Sequence, residues 1–509
     1  MKTVIKLLAE NIKRSETEIK PMISSLKKSA VKIYPESVNR AGDSLIMMAA
    51  DKKSRFLLLA SDKKNGMIAN FAGELIQDSG IFAKKSQLSA ENAAQIRKLF
   101  PWTAPVSLRK KKTSIGCGDR LGRATPGHIS AIRKFEASPV LAQQSMRELS
   151  LTGRTYVNVV DDVSFLVFQE SFREDFGADG DHLKKIEDIE TALDVGMTMI
   201  TLDLSDVMKT SFAELSPKEI DAAFETLPFE VRERVKETYF DRNVQTGTLN
   251  FTMSVQDAKR CALMYNDAMD FAAKVAKHIK KKKGDADLEV SIDETTCPTK
   301  IEDHFYIINE LAARKVDFVS VAPRFIGEFQ KGIDYIGDIK TFEKQFAMHC
   351  ELARTHGNYK ISVHSGSDKF SVFPIVGRLS NSRLHLKTAG TSWLEAVRVI
   401  SLAKPELYRK MHQKALDSFA DAKKLYHVTT DLTKIAKLDS VKDSELPDYM
   451  CQNESRQLLH ITYGAILSDK ILGTEFFSTL LENEKLYIEK LDYHFTKHLS
   501  DLGIKRRDA

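Results

Sequence analysis

Leu288-Glu-Val-Ser-Ile-Asp-Glu-Thr-Thr-Cys-Pro298 and Ile361-Ser-Val-His-Ser-Gly-Ser-Asp-Lys369 share one pattern, a short run of strand formers that ends in acids, hydroxyls, histidine or glycine. A run of that length bounded by turn residues reads as a strand buried on both faces. These two stretches place strands at 288–292 and 359–363, and similar runs recur at 113–117, 156–160, 197–202, 316–321 and 383–386, with a weaker one at 174–178. Helix-like text lies between them. Alternating strand and helix signals predict a parallel sheet with crossover helices, and about eight strands predict an α/β fold with a (β/α)8 TIM-barrel-like core.

That core is assigned to residues 106–400. Residues 1–105 open with a Lys-rich amphipathic helix and then show apolar stretches at 44–50 and 55–60 joined by Asp51-Lys-Lys-Ser54, the pattern of a hairpin in a small α+β region. The interval between Leu202 and Leu288 is far longer than a crossover needs, so residues 206–286 are expected to form a helical insertion. Within it Ser254 and Asp257 have capping-box chemistry, and Val255, Ala258, Ala262, Ala268, Ala272, Val275, Ala276 and Ile279 form one apolar stripe. No strand signal returns at 401–509, where helical patterns at 405–426 and 480–499 are expected to cover the barrel.

Composition excludes several function classes. Lys+Arg 76 against Asp+Glu 70 leaves +6 on 509 residues, too dilute to argue for nucleic acid, and basic runs such as 109–112 and 280–283 are short enough to be solvated faces. With 24 Gly and 13 Pro no collagen-like or disordered reading is open. Five cysteines, odd in number and without a C-x-x-C pair, argue for a reducing compartment and against a disulfide framework. Charge returns at Glu10 and Lys13 before a signal-peptide core can form, and no apolar run approaches the ~18 to 20 residues that span a bilayer. The expectation is a cytoplasmic protein without a membrane partner.

In a parallel barrel the active site lies at the C-terminal ends of the strands. The polar stretches after the runs are therefore the candidates: 116–128, 178–184, 203–206, 293–298 and 364–369. His182, His364 and His385 lie at or beside expected strand ends and are expected to converge on a divalent cation, three imidazoles with open positions being the form of a catalytic site. A lone histidine is more often a core or surface residue, and His128 and His460 are weaker candidates, while His278, His494 and His498 read as exposed positions in Lys-rich helices. Asp181 and Glu294 are the best acid and base, with Asp179, Asp203 and Asp293 as alternatives, although each alone would also fit a helix cap or a loop acid. Ser365-Gly-Ser367 can present consecutive backbone N–H groups to an anion beside Lys369. Arg120, Arg123, Arg324 and Lys387 add positive charge around the mouth, which points to an acidic small substrate. The spacing of Gly116, Gly118 and Gly122 is wrong for a dinucleotide loop.

The strings GCGDRLGRATPGH at 116, FGADGDHLK at 176, EVSIDETTCPT at 289, VSVAPRFIGEFQKGIDYIGD at 319, VHSGSDKFSVFP at 363 and LHLKTAGTSWLEA at 384, with LLHITYG at 458, resemble in content and order the tagaturonate epimerase family. The resemblance leaves the first hundred residues without a matched motif. It implies a bacterial enzyme of hexuronate catabolism that interconverts tagaturonate and fructuronate with a divalent metal, which imidazole ligands leave open among Zn, Ni, Co, Mn and Fe. On the resemblance Asp181 falls at the proton acceptor, His182 at a metal ligand, Glu294 at the proton donor and His364 at a further ligand. His385 is added as a third ligand from its strand position, and Arg120, Arg324, Ser365, Ser367, Lys369 and Lys387 as contacts to a keto-uronate. The two sugars differ at a carbon β to the ketone, which removal of an α proton cannot invert, whereas a retro-aldol opening and re-addition can. Two other readings stay open: a metal-dependent aldolase or ketose isomerase on the same barrel, and a non-catalytic sugar-acid binding protein in which the histidines are structural.

Overall fold

The computed structural model describes residues 1–26, 30–295 and 297–507. Eight parallel strands close a barrel in chain order: β1 (Thr113–Cys117), β2 (Ser138–Ser145), β3 (Gly177–Leu183), β4 (Met199–Asp203), β5 (Asp287–Ile292), β6 (Ser320–Pro323), β7 (Lys360–Val363) and β8 (Leu384–Thr388). The seam pairs Leu384 with Thr113 and Thr388 with Cys117, so the sheet has no open edge. Residues such as Ile200, Leu202, Val290, Ile292 and Val321 belong to the apolar core of the barrel. The positions alternating with them along the strands, including Thr201, Glu289 and Ser320, are polar and just as buried. A barrel interior is ordinarily filled by branched apolar side chains; here hydrogen bonds and ion pairs fill much of it.

Residues 156–160, expected as a strand, instead start the helix Tyr156–Glu170. The run Val157, Val159, Val160 has the β-branching of a strand. Thr155 overrides it by capping: its hydroxyl accepts the Asn158 N–H, and the Asn158 side chain accepts the Thr155 N–H. Val159, Val160, Val163 and Val167 then share one helix face in the core. The strand missing from the expected set is β2, whose Gln143 and Gln144 break the apolar signal. Gly116 on β1 faces it closely, since a Cβ there would lie 1.7 Å from Gln143 Oε1. The 174–178 run overlaps only the first residues of β3 and the 316–321 run only the first two of β6, while the other five runs each contain the centre of a barrel strand.

The expected N-terminal hairpin forms from Ser44–Ala50 and Arg55–Ser61, with Ala50 opposite Arg55, inside a six-stranded antiparallel sheet. One side of that sheet packs Ile46, Met48, Leu57 and Leu59 with Phe165 and Phe168 of the helix Tyr156–Glu170. Residues 206–286 are not purely helical: besides Pro217–Phe224 and Phe229–Tyr239 they hold a hairpin of Arg242–Thr246 and Leu249–Met253. The helix Val255–Lys282 begins where Ser254 Oγ accepts the Asp257 N–H at 3.0 Å, and its buried stripe leads into β5. After residue 400 the chain is helical, and Trp393, fully buried, donates its indole N–H to Leu459 O at 2.8 Å. No helix among the described residues is long and apolar enough to cross a membrane.

The two ends of the chain meet in one buried ionic group. Glu484, in the first turn of the helix Glu484–Asp501, accepts from Tyr34 Oη at 2.9 Å and Lys32 Nζ at 2.7 Å and pairs with the Arg55 guanidinium. Arg55 also donates to Tyr34 Oη at 3.2 Å. Breaking a buried pair leaves an uncompensated charge, so Arg55→Met is expected to destabilise by about 3–5 kcal/mol. Lys32→Met, at a side chain 58% exposed, is expected to cost less than about 1 kcal/mol. Thermal unfolding of both variants checks this; equal losses would show that the buried pair does not join the terminal regions.

Candidate active site

Lys387 on β8 reaches across the barrel interior. Its Nζ donates to Asp179 Oδ2 at 2.7 Å and Asp181 Oδ1 at 2.6 Å on β3 and to the Thr201 hydroxyl on β4, and Glu289 Oε1 on β5 lies at 3.3 Å. The Lys387, Asp179 and Glu289 side chains are 4%, 0% and 0% exposed, so water does not share these charges. Burial alone would lower the Lys387 pKa, but the three carboxylates outweigh it and hold the ammonium well above its ordinary range. Burial opposes ionisation of Asp181 and Glu289 as well. Lys387 overcomes it, aided by His182 at Asp181 and by His364 at Glu289, and both carboxyls sit well below their usual range. Asp179 is the acid of the set pushed upward, to about 6, by burial and by the neighbouring Asp181 and Glu289 against the pull of Lys387.

Asp181 and His182 are consecutive on β3, and ordinary strand geometry would aim them at opposite faces. His182 has φ +56°, a left-handed conformation that costs a non-glycine residue about 1–3 kcal/mol. The turn brings both side chains to the mouth, with His182 Nδ1 2.9 Å from Asp181 Oδ1. His364, immediately after β7, sets Nε2 2.7 Å from Glu289 Oε1. Each ring is therefore backed by a carboxylate, and the ring centroids are 4.8 Å apart. Asp293, immediately after β5, places Oδ2 3.1 Å from His364 Nδ1, a buried nitrogen without a well-aligned hydrogen bond. One ligand atom from each of His182, Asp293 and His364 lies within 4.8 Å of the others. Two imidazoles and a carboxylate suit a first-row divalent cation, and a carboxylate behind each ring is the usual support of a metal-binding histidine. Burial opposes a proton on His364, but Asp293 and Glu289 push its pKa up to about 10; a cation at that nitrogen would replace the proton.

A cavity of about 450 Å³ opens on this group, its wall including Asp181, His182, Asp203, Asp293, Glu294, His364, Ser365 and Lys387. Glu294 stands at the rim, 57% exposed and 4.0 Å from His182 Nε2. His385 is not with the other two histidines. It sits two residues before Lys387 on the same face of β8, hence one layer deeper in the barrel. Its Nδ1 meets the Ser114 hydroxyl at 3.0 Å, and burial, reinforced by Lys387 and Lys360 against Glu289, holds its pKa at about 3. Asp293, and not His385, gathers with His182 and His364.

Lys369 is also redirected. Its fully buried Nζ donates to Gln330 O, Ile333 O and Ser367 O at 2.8, 2.6 and 2.9 Å, so its hydrogens hold a loop and do not face the cavity. Ser367 exchanges hydrogen bonds with the Ala389 backbone, and Arg324 borders a neighbouring cavity of about 510 Å³. Arg120 does reach the first cavity, but its guanidinium is bonded to Glu148 at 2.8 Å and His460 O at 2.9 Å and lies over the Tyr463 ring. His128 pairs with the Ser392 hydroxyl at 2.8 Å, inside the core.

His494 and His498, expected on an exposed helix face, turn inward. His494 Nε2 is 2.7 Å from Asp368 Oδ1, and His498 Nε2 accepts the Asp368 N–H at 3.1 Å. These three also gather closely. His498 uses both nitrogens, however, since Nδ1 donates to His494 O, and Arg456 pairs with Asp368 at 2.8 Å. The group is a bracket that ties the 365–369 turn to the last helix. Sequence alone does not bring out Glu289, Arg147 or Lys331. For Glu289 a signal exists, because an acid in the middle of an apolar strand is buried only with partners; Arg147 follows the end of β2, a strand whose sequence does not announce it, and Lys331 lies in the loop well past β6, so neither shows one.

Comparison with known proteins follows the same lines. The model of the tagaturonate epimerase family matches residues 34–502, so the shared architecture takes in most of the N-terminal sheet, where no motif stands out. A tagaturonate/fructuronate epimerase of Thermotoga maritima is 38% identical over 467 residues, 92% of this chain and 96% of that protein. The crystal structure of a fructuronate-tagaturonate epimerase from Cohnella laeviribosi superposes with a TM-score of 0.90 at 44% identity, covering 96% of this chain and 100% of that one. Its glycerol complexes match equally well.

Lys387→Met would leave three buried carboxylates without their cation. A loss of about 3–5 kcal/mol is expected. The unpaired carboxyls would then have folded-state pKa values above their unfolded values. Their contribution is fully present below about pH 4 and is lost as pH rises through the raised values. Urea unfolding at pH 5 and pH 8 checks the sign: relative to the native sequence, the deficit should be larger at pH 8, and an equal deficit would mean that the carboxylates are paired by other means.

Proposed function

The chain belongs to the tagaturonate epimerase family and is an isomerase-class enzyme; on that premise we propose that it interconverts tagaturonate and fructuronate with a divalent cation held by His182, Asp293 and His364. The observation that carries this reading is the placement of those three donors beside Asp181 and Lys387, at the mouth of a cavity of a size suited to a six-carbon acid. Hexuronate catabolism in the cytoplasm goes with the reading.

When bound, the cation would supply Lewis-acid polarisation of the substrate's oxygens and so acidify the hydroxyl on the carbon β to the ketone. Asp181 is ionised throughout the physiological range, the form a proton acceptor needs, while Lys387 and His182 make it a weak base. It takes the proton of that hydroxyl. The O–H electron pair forms the aldehyde C=O as the carbon–carbon bond between the α and β carbons breaks, and the pair from that bond passes into the ketone as an enediolate. The aldehyde turns about its remaining bond and presents its other face. The carbon–carbon bond re-forms, and Glu294 returns a proton to the new alkoxide. Asp181 ends protonated and Glu294 ionised, a difference that solvent resets. Both fragments must stay in the cavity throughout, and Tyr426, from the segment after the helix Pro405–Lys423, helps to wall it.

Purified metal-replete protein incubated with fructuronate is expected to form tagaturonate, seen by NMR, to stop on addition of EDTA and to recover when a divalent ion is returned. Unchanged fructuronate in the metal-replete sample would sink the reading, and free semialdehyde in place of the epimer would turn it into an aldolase. Asp181→Asn is expected to lower kcat by about 10²–10⁴-fold with KM little changed. An unchanged rate would remove Asp181 from the mechanism.

A further inference from the structure

Six cations border the main cavity, and four of them are already satisfied or solvated. Arg120 pairs with Glu148, Lys184 with Asp206, and Lys387 with the barrel carboxylates, while Lys185 is exposed. Lys331 and Arg147 differ. Among the described residues neither has a carboxylate within ion-pair distance: Lys331 Nζ donates to Ser365 Oγ at 2.8 Å, and Arg147 donates to Leu425 O at 2.9 Å and lies over the Tyr426 ring. Both border the main cavity and the one beside it.

The backbone around Lys331 is fixed from two sides. Lys369 grips Gln330 O and Ile333 O from the barrel. Arg456 donates to Gly332 O at 2.7 Å, and Gln330 Oε1 accepts from the Thr429 N–H at 3.0 Å and from Gln457 Nε2 at 2.9 Å. Gly332, with φ +78°, makes the turn that follows. A lysine held this firmly, half-buried and without a counter-ion, is costly unless an anion visits it. Burial, with Arg147 nearby, lowers its pKa, and a bound carboxylate would restore the charged form. Ser365, which its ammonium touches, is the neighbour of His364, so an anion on Lys331 would sit one residue from the proposed cation ligands.

We infer that Lys331, with Arg147 beside it, binds the carboxylate of the substrate and makes the site select an acidic ketose over the neutral ketose of the same skeleton. The inference rests on the epimerase reading and deepens it. The turn Ser365-Gly-Ser367 with Lys369 does not fill this role, since the Lys369 hydrogens are taken by three carbonyls.

The test compares the native enzyme, Lys331→Met and Lys331→Arg, loaded with the same divalent ion and matched by circular dichroism and Tm, on fructuronate and on fructose. Loss of the carboxylate contact is expected to raise KM for fructuronate by about 30- to 1,000-fold in Lys331→Met, with kcat changed much less. Any turnover of fructose should be left nearly as it was, and Lys331→Arg should recover most of the loss. A fall in kcat at unchanged KM, an equal loss on fructose, or a Lys331→Arg variant as impaired as Lys331→Met would overturn the assignment while leaving the epimerase reading intact. A native enzyme inert toward fructuronate would overturn both.

Discussion

A lysine ammonium cannot be left alone in the middle of a closed barrel, and Lys387 is accommodated there because β3, β4 and β5 each bring an oxygen to it. The site follows from that constraint. Asp181 and Glu289 are ionised because Lys387 is close. Being ionised, they accept the N–H groups of His182 and His364 and so leave one nitrogen of each ring to face the other and Asp293. One buried cation thus orders two histidines, one on β3 and one just after β7, that lie far apart in the chain.

The barrel supplies the charged groups at the floor of the cavity, and the segments after it shape the rim. Lys369 and Asp368 leave the end of β7 and point outward from the mouth, the first into the loop that carries Lys331, the second onto Arg456 and His494. Arg456 closes the same loop from the helix Asn453–Ile461. Loop, turn and C-terminal helices therefore share one set of hydrogen bonds, which is why residues more than a hundred positions from the nearest strand end bear on the geometry of the cavity. The N-terminal sheet stands apart from this set; its contacts with the rest include Phe165 and Phe168, the Arg55–Glu484 pair and the hydrogen bond from Arg173 to Asn39.

Where the reading of sequence and the observed structure part, the cause is long-range contact overriding a local signal. The 156–160 run has strand chemistry, yet a three-residue cap and an apolar helix face decide it. Strand β2 has glutamines where an apolar residue would announce it, because its inner face meets Gly116 and Thr388 and not a hydrocarbon core. His385 has the residue type of a ligand but lies one layer below His182 and His364, while Asp293, a less specific residue type, stands beside them. Lys369, next to a glycine-serine turn, has every local mark of an anion site, and three distant carbonyls claim its hydrogens.

By itself the sequence determined the class of the fold, since strand and helix periods alternate often enough to close a parallel barrel. It also determined where the candidate site would gather, because in such a barrel functional groups sit at the C-terminal ends of the strands, and Asp181, His182, Asp293, Glu294 and His364 come together there. Only the tertiary structure decided which of those groups meet and in what charge state. Depth along the barrel axis, the left-handed turn at His182 and the carboxylates around Lys387 are set by register and closure across strands, which no local window of sequence contains. Charge state depends on burial and on partners within a few ångströms, and those are properties of the folded chain alone.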